Sequence, residues 1–154
     1  MSTARLSPHL NFKGICREAM TFYQSVLGGT LSMHTYDEMM PDSEKRNDNI
    51  MHAKLENEGL LLMASDSLDS ETIIRGNSVQ LCLEGPNQEG LAKVFDDLSK
   101  GGSVELPLER QVWGDYFGML TDKFGIHWMV DINVAKKVSS EQDSSPQYVS
   151  TRAQ

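Results

Sequence analysis

"FYQSVLGGTL" occupies Phe22–Leu31, and "FDDLSKGGSV" occupies Phe95–Val104. Each runs Phe, five residues, Gly-Gly, a hydroxyl residue and an aliphatic residue. Read locally, each stretch is the end of a helix, a glycine stop and the start of a strand. The same punctuation recurs 73 positions apart in a chain of 154 residues. What surrounds the two copies decides whether the chain is written twice.

Before the first copy, "LSPHLNF" alternates Leu6, Pro8, Leu10 and Phe12, the period of a strand with one buried face, so that His9 and Asn11 point the other way. In "GICREAMTFYQSVLGG", Ile15, Ala19, Phe22, Tyr23, Val26 and Leu27 recur at three and four, which predicts a helix over 15–27. "TLSMHTY" reads as a strand, "DEMMPDSEKRNDN" as a loop, and "IMHAKLENEGLLLMASD" as two strands around a turn at Asn57–Gly59. After the loop "SLDSETIIRGN" the order restarts. "SVQLCLE" alternates Val79, Leu81 and Leu83 against Ser78, Gln80 and Cys82. "NQEGLAKVFDDLSKGG" predicts a helix over 88–100 that buries Leu91, Val94, Phe95 and Leu98. "SVELPLER" is a strand whose Pro107 marks an edge or a bulge. "DYFGMLTD" and "GIHWMVDI" give two more strands. From about Ala135 the chain is polar and Ser-rich, so 135–154 reads as a mobile tail outside the core.

The order is therefore βαβββ twice. A unit of roughly 65–70 residues buries little on its own, whereas two side by side share a core. The expected fold is α+β: two tandem βαβββ modules, about 5–66 and 77–133, in one domain over 1–134. Each helix covers one face of a curved mixed sheet, and the opposite faces surround a central cleft.

A net charge of −8 argues against nucleic acid as a partner, since phosphate binding needs a basic face. The longest apolar run, "GLLLMA", is far too short to span a bilayer. "MSTARLSPHLNF" has no apolar core of a signal peptide, and two cysteines, Cys16 and Cys82, suit a reducing compartment, so a cytoplasmic location is expected.

"PHLNFKGICREAMTFYQSVLGG", "MHAKLENEGLLLMASD" and "VWGDYFGMLTDKFGIHWMVDI" together resemble the PhnB-like branch of the vicinal oxygen chelate superfamily, which includes glyoxalase, bleomycin-resistance proteins and extradiol dioxygenases. The resemblance covers roughly residues 6 to 133, and its most specific piece is "TDKFGIHWMVDI", close to the family's Asp-x-Phe-Gly-x-x-Trp ending. Relatives often carry a 3-demethylubiquinone methyltransferase-like label, yet no glycine-rich nucleotide or S-adenosylmethionine loop follows a first strand here. The resemblance also implies a homodimer, and the edge marked by Pro107 is one that a partner would cover.

Metal-dependent members place one His or Glu on each of four strands facing the cleft. Carried onto this chain, those positions fall near Ser7, Met63, Ser78 and Met129. Hydroxyl and thioether groups do not replace imidazole and carboxylate for hard divalent ions. No metal and no cofactor is therefore expected. One rival remains: His9, His52 and His127 lie on three strands, and alternation turns all three toward the cleft, where a borderline metal would be held with Cys82 or Asp131 nearby. His34 reads as a surface histidine.

Pockets combine apolar walls with a few polar groups. The expected ligand contacts are His9, Asn11, His52, Ser78, Gln80, His127 and Met129, with Trp113, Asp115 and Tyr116 of "VWGDYFG" at the mouth. Trp113 and Tyr116 would stack on a flat ligand; the plainer reading is that Trp113 covers the sheet end and Gly114-Asp115 makes the turn. Cys16, in a first helical turn, reads either as a reactive thiol or as a packed, inert one. No catalytic residue is assigned, because neither a nucleophile triad nor a spaced carboxylate pair stands out. Two functions follow: a protein binding a small organic molecule in a metal-free cleft, or a metal-dependent lyase, isomerase or dioxygenase built on the three histidines.

Overall fold

The computed structural model describes residues 3–44, 47–69 and 72–134; the polar segment read as a tail lies outside the described residues. The first module is β1 (His9–Phe12), α1 (Cys16–Leu27), β2 (Thr30–Thr35), a one-turn helix α2 (Tyr36–Met39), β3 (Ile50–Glu56) and β4 (Leu61–Asp66). The second is β5 (Leu81–Gly85), α3 (Gln88–Ser99), β6 (Ser103–Arg110), β7 (Tyr116–Thr121) and β8 (His127–Ile132). Each forms a four-stranded mixed sheet, ordered β1-β4-β3-β2 in one and β5-β8-β7-β6 in the other. The parallel pairs, β1 with β4 and β5 with β8, occupy equivalent places in the two copies.

The two Gly-Gly pairs explain why the punctuation repeats. Gly28 and Gly101 leave their helices at φ of 71° and 76°, a left-handed conformation that costs other residues strain. The second glycine of each pair lies against a strand. A Cβ on Gly29 would stand 2.6 Å from the Glu56 carbonyl oxygen, and one on Gly102 would stand 2.1 Å from that of Thr121. Glu56 and Thr121 are the last residues of β3 and β7, so both modules need this close approach at the same point.

Packing follows the alternation. Phe12, Leu62, Ala64, Ala53 and Leu55 of the first sheet are fully buried, as are Val130 and Ile132 of the second, with Leu120 and Trp128 nearly so. Against them α1 lays Cys16, Ala19, Met20 and Tyr23, and α3 lays Phe95 and Leu98. Both modules contribute to one continuous core. Burying a large side chain of this kind contributes about 1.5–3 kcal/mol.

Four expectations are corrected. Leu6 is fully exposed, because β1 begins only at His9 and the alternation of "LSPHLNF" starts ahead of the strand. Ile15 is the residue before α1 and is 39 % exposed; the periodicity continued one position past the helix start. Val79 is 73 % exposed rather than packed under the sheet, because β5 begins only at Leu81. The segment after Tyr36, read as a loop, opens with α2, capped by a reciprocal box in which Thr35 Oγ1 accepts from the Glu38 amide and Glu38 accepts from the Thr35 amide. The proline expectation holds: β6 is the outer strand of its sheet, and its register against β7 shifts on both sides of Leu106.

Candidate functional site

The specific ending of the chain has a structural task. Asp122, 3 % exposed, closes the turn between β7 and β8 by accepting from the amides of Phe124 at 2.8 Å and Ile126 at 3.0 Å. Its other oxygen accepts from Trp128 Nε1 at 2.8 Å and from the Tyr23 hydroxyl of α1 at 2.5 Å. Burial and the neighbouring Asp122 push the Tyr23 phenol far above its ordinary range, so it stays a donor. Phe124 packs on Phe12 and Tyr23, with ring centroids 6.3 and 6.0 Å apart. Asp-Lys-Phe-Gly-Ile-His-Trp thus locks one module to the other, with its His127 left over for other work.

The strands leave the remaining polar residues on the faces away from the helices. Partners across a ladder share a face. His9 lies opposite Met63, Met63 opposite Lys54, and His34 opposite His52. His9 Nε2 bonds Ser65 Oγ at 3.0 Å, and its ring stacks on His52 with centroids 6.5 Å apart. Burial first, and the charge of His52 second, hold the His9 imidazole below its ordinary value. On the second sheet Met129 lies between Cys82 and Met119, and Asp131 between Glu84 and Phe117. Burial, then Asp115 and Glu84, push the Asp131 carboxyl up.

His127 ties the second module to the segment that joins the two. Its Nδ1 pairs with Thr121 Oγ1 at 2.7 Å, and its Nε2 meets the Gly76 carbonyl at 2.9 Å. Thr121 Oγ1 in turn donates to Glu105. Beside it, Arg75 donates to the Asn11 carbonyl at 2.5 Å and lies 5.0 Å over the Phe12 ring. The segment joining the modules is thereby tied to β1 on one side and to β8 on the other. Between them is a cavity of about 190 Å³ whose polar lining is His9, Asn11, Arg75 and His127 and whose apolar lining includes Ile74 and Val79. Among the described residues no carboxylate lines it.

The junction therefore gathers three of the expected contacts, His9, Asn11 and His127, with His52 behind His9. Gln80 lines a separate cavity. Ser78 is exposed, and Met129 sits mid-sheet. Tyr116 is directly opposite the buried Ile132, on the face that packs against the core, while Trp113 is 59 % exposed with its ring 6.3 Å from Phe117. Gly114 donates to the Gln111 carbonyl and Gln111 to that of Asp115, which makes this stretch a tight hairpin turn. Arg75, Ile74 and Ser65 were not foreseen: they lie on a loop or a strand without a telling pattern, and only the pairing of distant segments brings them in.

The metal reading on three histidines does not fit. Both ring nitrogens of His127 are engaged by protein partners, and a ligating imidazole needs one free. Among the described residues no three His, Cys, Asp or Glu side chains are grouped to hold an ion. The four inherited positions carry hydroxyl and thioether groups, as the sequence states. Cys16 and Cys82 are free thiols, Cys16 buried and Cys82 exposed. Burial and Asp66 push the Cys16 thiol up to about 12, which makes it a packed and inert group. Among the described residues no helix is long and apolar enough to cross a membrane.

Residues 4–131 match the family described as 3-demethylubiquinone-9 3-methyltransferase. Protein YjdN of Escherichia coli K12 is 30 % identical over 139 residues, spanning 82 % of this chain and 94 % of its own. The crystal structure of PA1353 from Pseudomonas aeruginosa superposes with a TM-score of 0.76 at 35 % identity, covering 84 % of this chain and 98 % of that one. A PhnB protein of Bacillus cereus superposes with a TM-score of 0.70 at 26 % identity, covering 84 % and 99 %.

Proposed function

The chain belongs to the family described as 3-demethylubiquinone-9 3-methyltransferase, in the PhnB-like branch of the vicinal oxygen chelate superfamily, and from that membership we propose that it binds a small organic molecule, without a metal, at the junction of its two modules. The observation that carries the reading is the junction cavity, where the Arg75 guanidinium and two imidazoles meet apolar walls and, among the described residues, no carboxylate. It offers donors, so it suits a ligand with a carbonyl, carboxylate or similar acceptor. The methyltransferase in the family's description does not extend to this reading. The two sheets are mixed, each with a single parallel pair, whereas a doubly wound nucleotide fold has a mostly parallel sheet.

A thermal-shift screen over small organic acids and carbonyl compounds tests the proposal, because a ligand that binds only the folded chain raises its melting temperature. The hit should bind more weakly to His9→Ala and Asn11→Ala, each by about 2- to 12-fold, the equivalent of one hydrogen bond. If both bind as tightly as the parent, the ligand lies elsewhere. We further propose a cytoplasmic homodimer: free thiols fit a reducing compartment, and the apolar surface on β6 and its hairpin fits a second copy.

A further inference from the structure

A second cavity, of about 350 Å³, opens where the chain before β1 passes β5. Leu60, Leu62, Leu81, Leu83 and Trp128 wall it, and Arg5, Ser7, Gln80 and Cys82 supply its polar groups. The Gln80 Oε1 atom is buried and has no hydrogen-bond partner among the described residues. An acceptor desolvated without a partner costs free energy, and a buried group left in that state calls for an explanation. Arg5 is exposed, and the carboxylate within reach of its charge, Glu56, is already paired with Lys54 at 3.0 Å. The volume falls within the range of roughly 300–1,000 Å³ that small-molecule sites occupy.

We propose that this slot is a second binding site, separate from the junction cavity, for a small anionic amphiphile. An apolar body fills the leucine walls. A turn of the Gln80 side chain brings Oε1, buried in the ligand-free protein, onto an N–H or O–H of the ligand, whose anionic group faces Arg5. Both cavities present a guanidinium, but here the orienting protein atom beside it is a buried acceptor without a partner among the described residues. A ligand offering only acceptors would leave Gln80 Oε1 unpaired, so the slot discriminates by a donor next to an apolar surface.

The probe is 8-anilinonaphthalene-1-sulfonate, which carries an apolar body, one N–H and one sulfonate. It should bind the native protein, with near-UV circular dichroism unchanged, at one molecule per chain and with energy transfer from Trp128 in a Trp113→Phe background. Gln80→Leu should weaken binding about fivefold and raise the melting temperature of the ligand-free protein, since it removes the unpaired acceptor. The exposed Arg5→Gln should weaken the sulfonate about fivefold and leave uncharged N-phenyl-1-naphthylamine unaffected. His9→Ala should leave both probes unaffected, which separates this site from the junction. Equal affinity of the parent and both slot variants would overturn the proposal. So would probe binding that increases as the protein is diluted, which would give the slot to a second copy of the chain.

Discussion

Asp122 holds four donors from three parts of the chain, and two of them, Tyr23 and Trp128, belong to different modules. Asp122→Asn leaves one acceptor oxygen for four donors and brings a new amide against them. It should destabilise the protein by about 3 kcal/mol, because hydrogen bonds to a buried charged group contribute about 1.5–3 kcal/mol each and only part is recovered. Urea unfolding of the parent and the variant measures this; an unchanged midpoint would contradict the hub. At His9 the effect is on pH. Its folded value lies below the ordinary 6.5, so the unfolded chain takes up the proton first. Stability from this group is present above about pH 6.5 and is lost as pH falls through the folded value. His9→Gln should flatten the loss between pH 7.5 and pH 5, and an equal slope in both proteins would count against the stacked pair. Part of the site was legible at this scale. Strand alternation in "LSPHLNF" and "GIHWMVDI" put His9, Asn11 and His127 on the faces away from the helices, and the structure puts them on one cavity. Arg75 was not, because a residue in a loop has no period to read, and its bond to the Asn11 carbonyl is a contact 64 residues apart.

The elements were legible wherever the period was long. The helix read over 88–100 is observed as α3 over Gln88–Ser99, and "SVELPLER" is β6 residue for residue. The misses have local causes. The α2 cap was written in the sequence as Thr35-Tyr36-Asp37-Glu38, a hydroxyl residue followed three positions later by Glu, but the polar run after it masked the signal. The period-2 pattern of "SVQLCLE" extended past the strand because Ser78, Val79 and Gln80 keep the alternation without a partner strand. The Gly-Gly pair is the sharpest test of an element boundary. Gly102→Ala would drive a Cβ to 2.1 Å from the Thr121 carbonyl oxygen, and backbone rather than a side chain would have to move. We expect a loss of about 3 kcal/mol, the upper range for overpacking. Gly59→Ala meets nothing within 4 Å and should stay within about 0.5 kcal/mol of the parent. Equal melting temperatures for the two variants would remove close approach as the reason for the repeated motif.

The whole molecule is two copies of one module that share a core and divide the labour at their junction, where β1 and β8 supply polar side chains and the joining segment seals them. Its outer surface is less complete. β6 has no strand beyond it in its sheet, and Val112 is fully exposed, with Trp113 at 59 % and Val104 at 46 %. Unpaired edges next to apolar residues attract a partner. Sedimentation at micromolar concentration should therefore give twice the chain mass of 17.2 kDa, and Trp113→Glu should shift it toward the monomer; a monomeric parent would contradict the pairing. Occupancy of the junction cavity can be tested at Val79, which reaches it without touching the core. Val79 is 73 % exposed, precedes β5 and lines the cavity. Calorimetric titration of the best thermal-shift hit into the parent and into Val79→Trp is the direct measurement. One molecule should bind per parent chain, with at least a tenfold loss in Val79→Trp and an unchanged melting temperature of the unliganded variant. Undiminished binding to Val79→Trp would show that the ligand lies elsewhere.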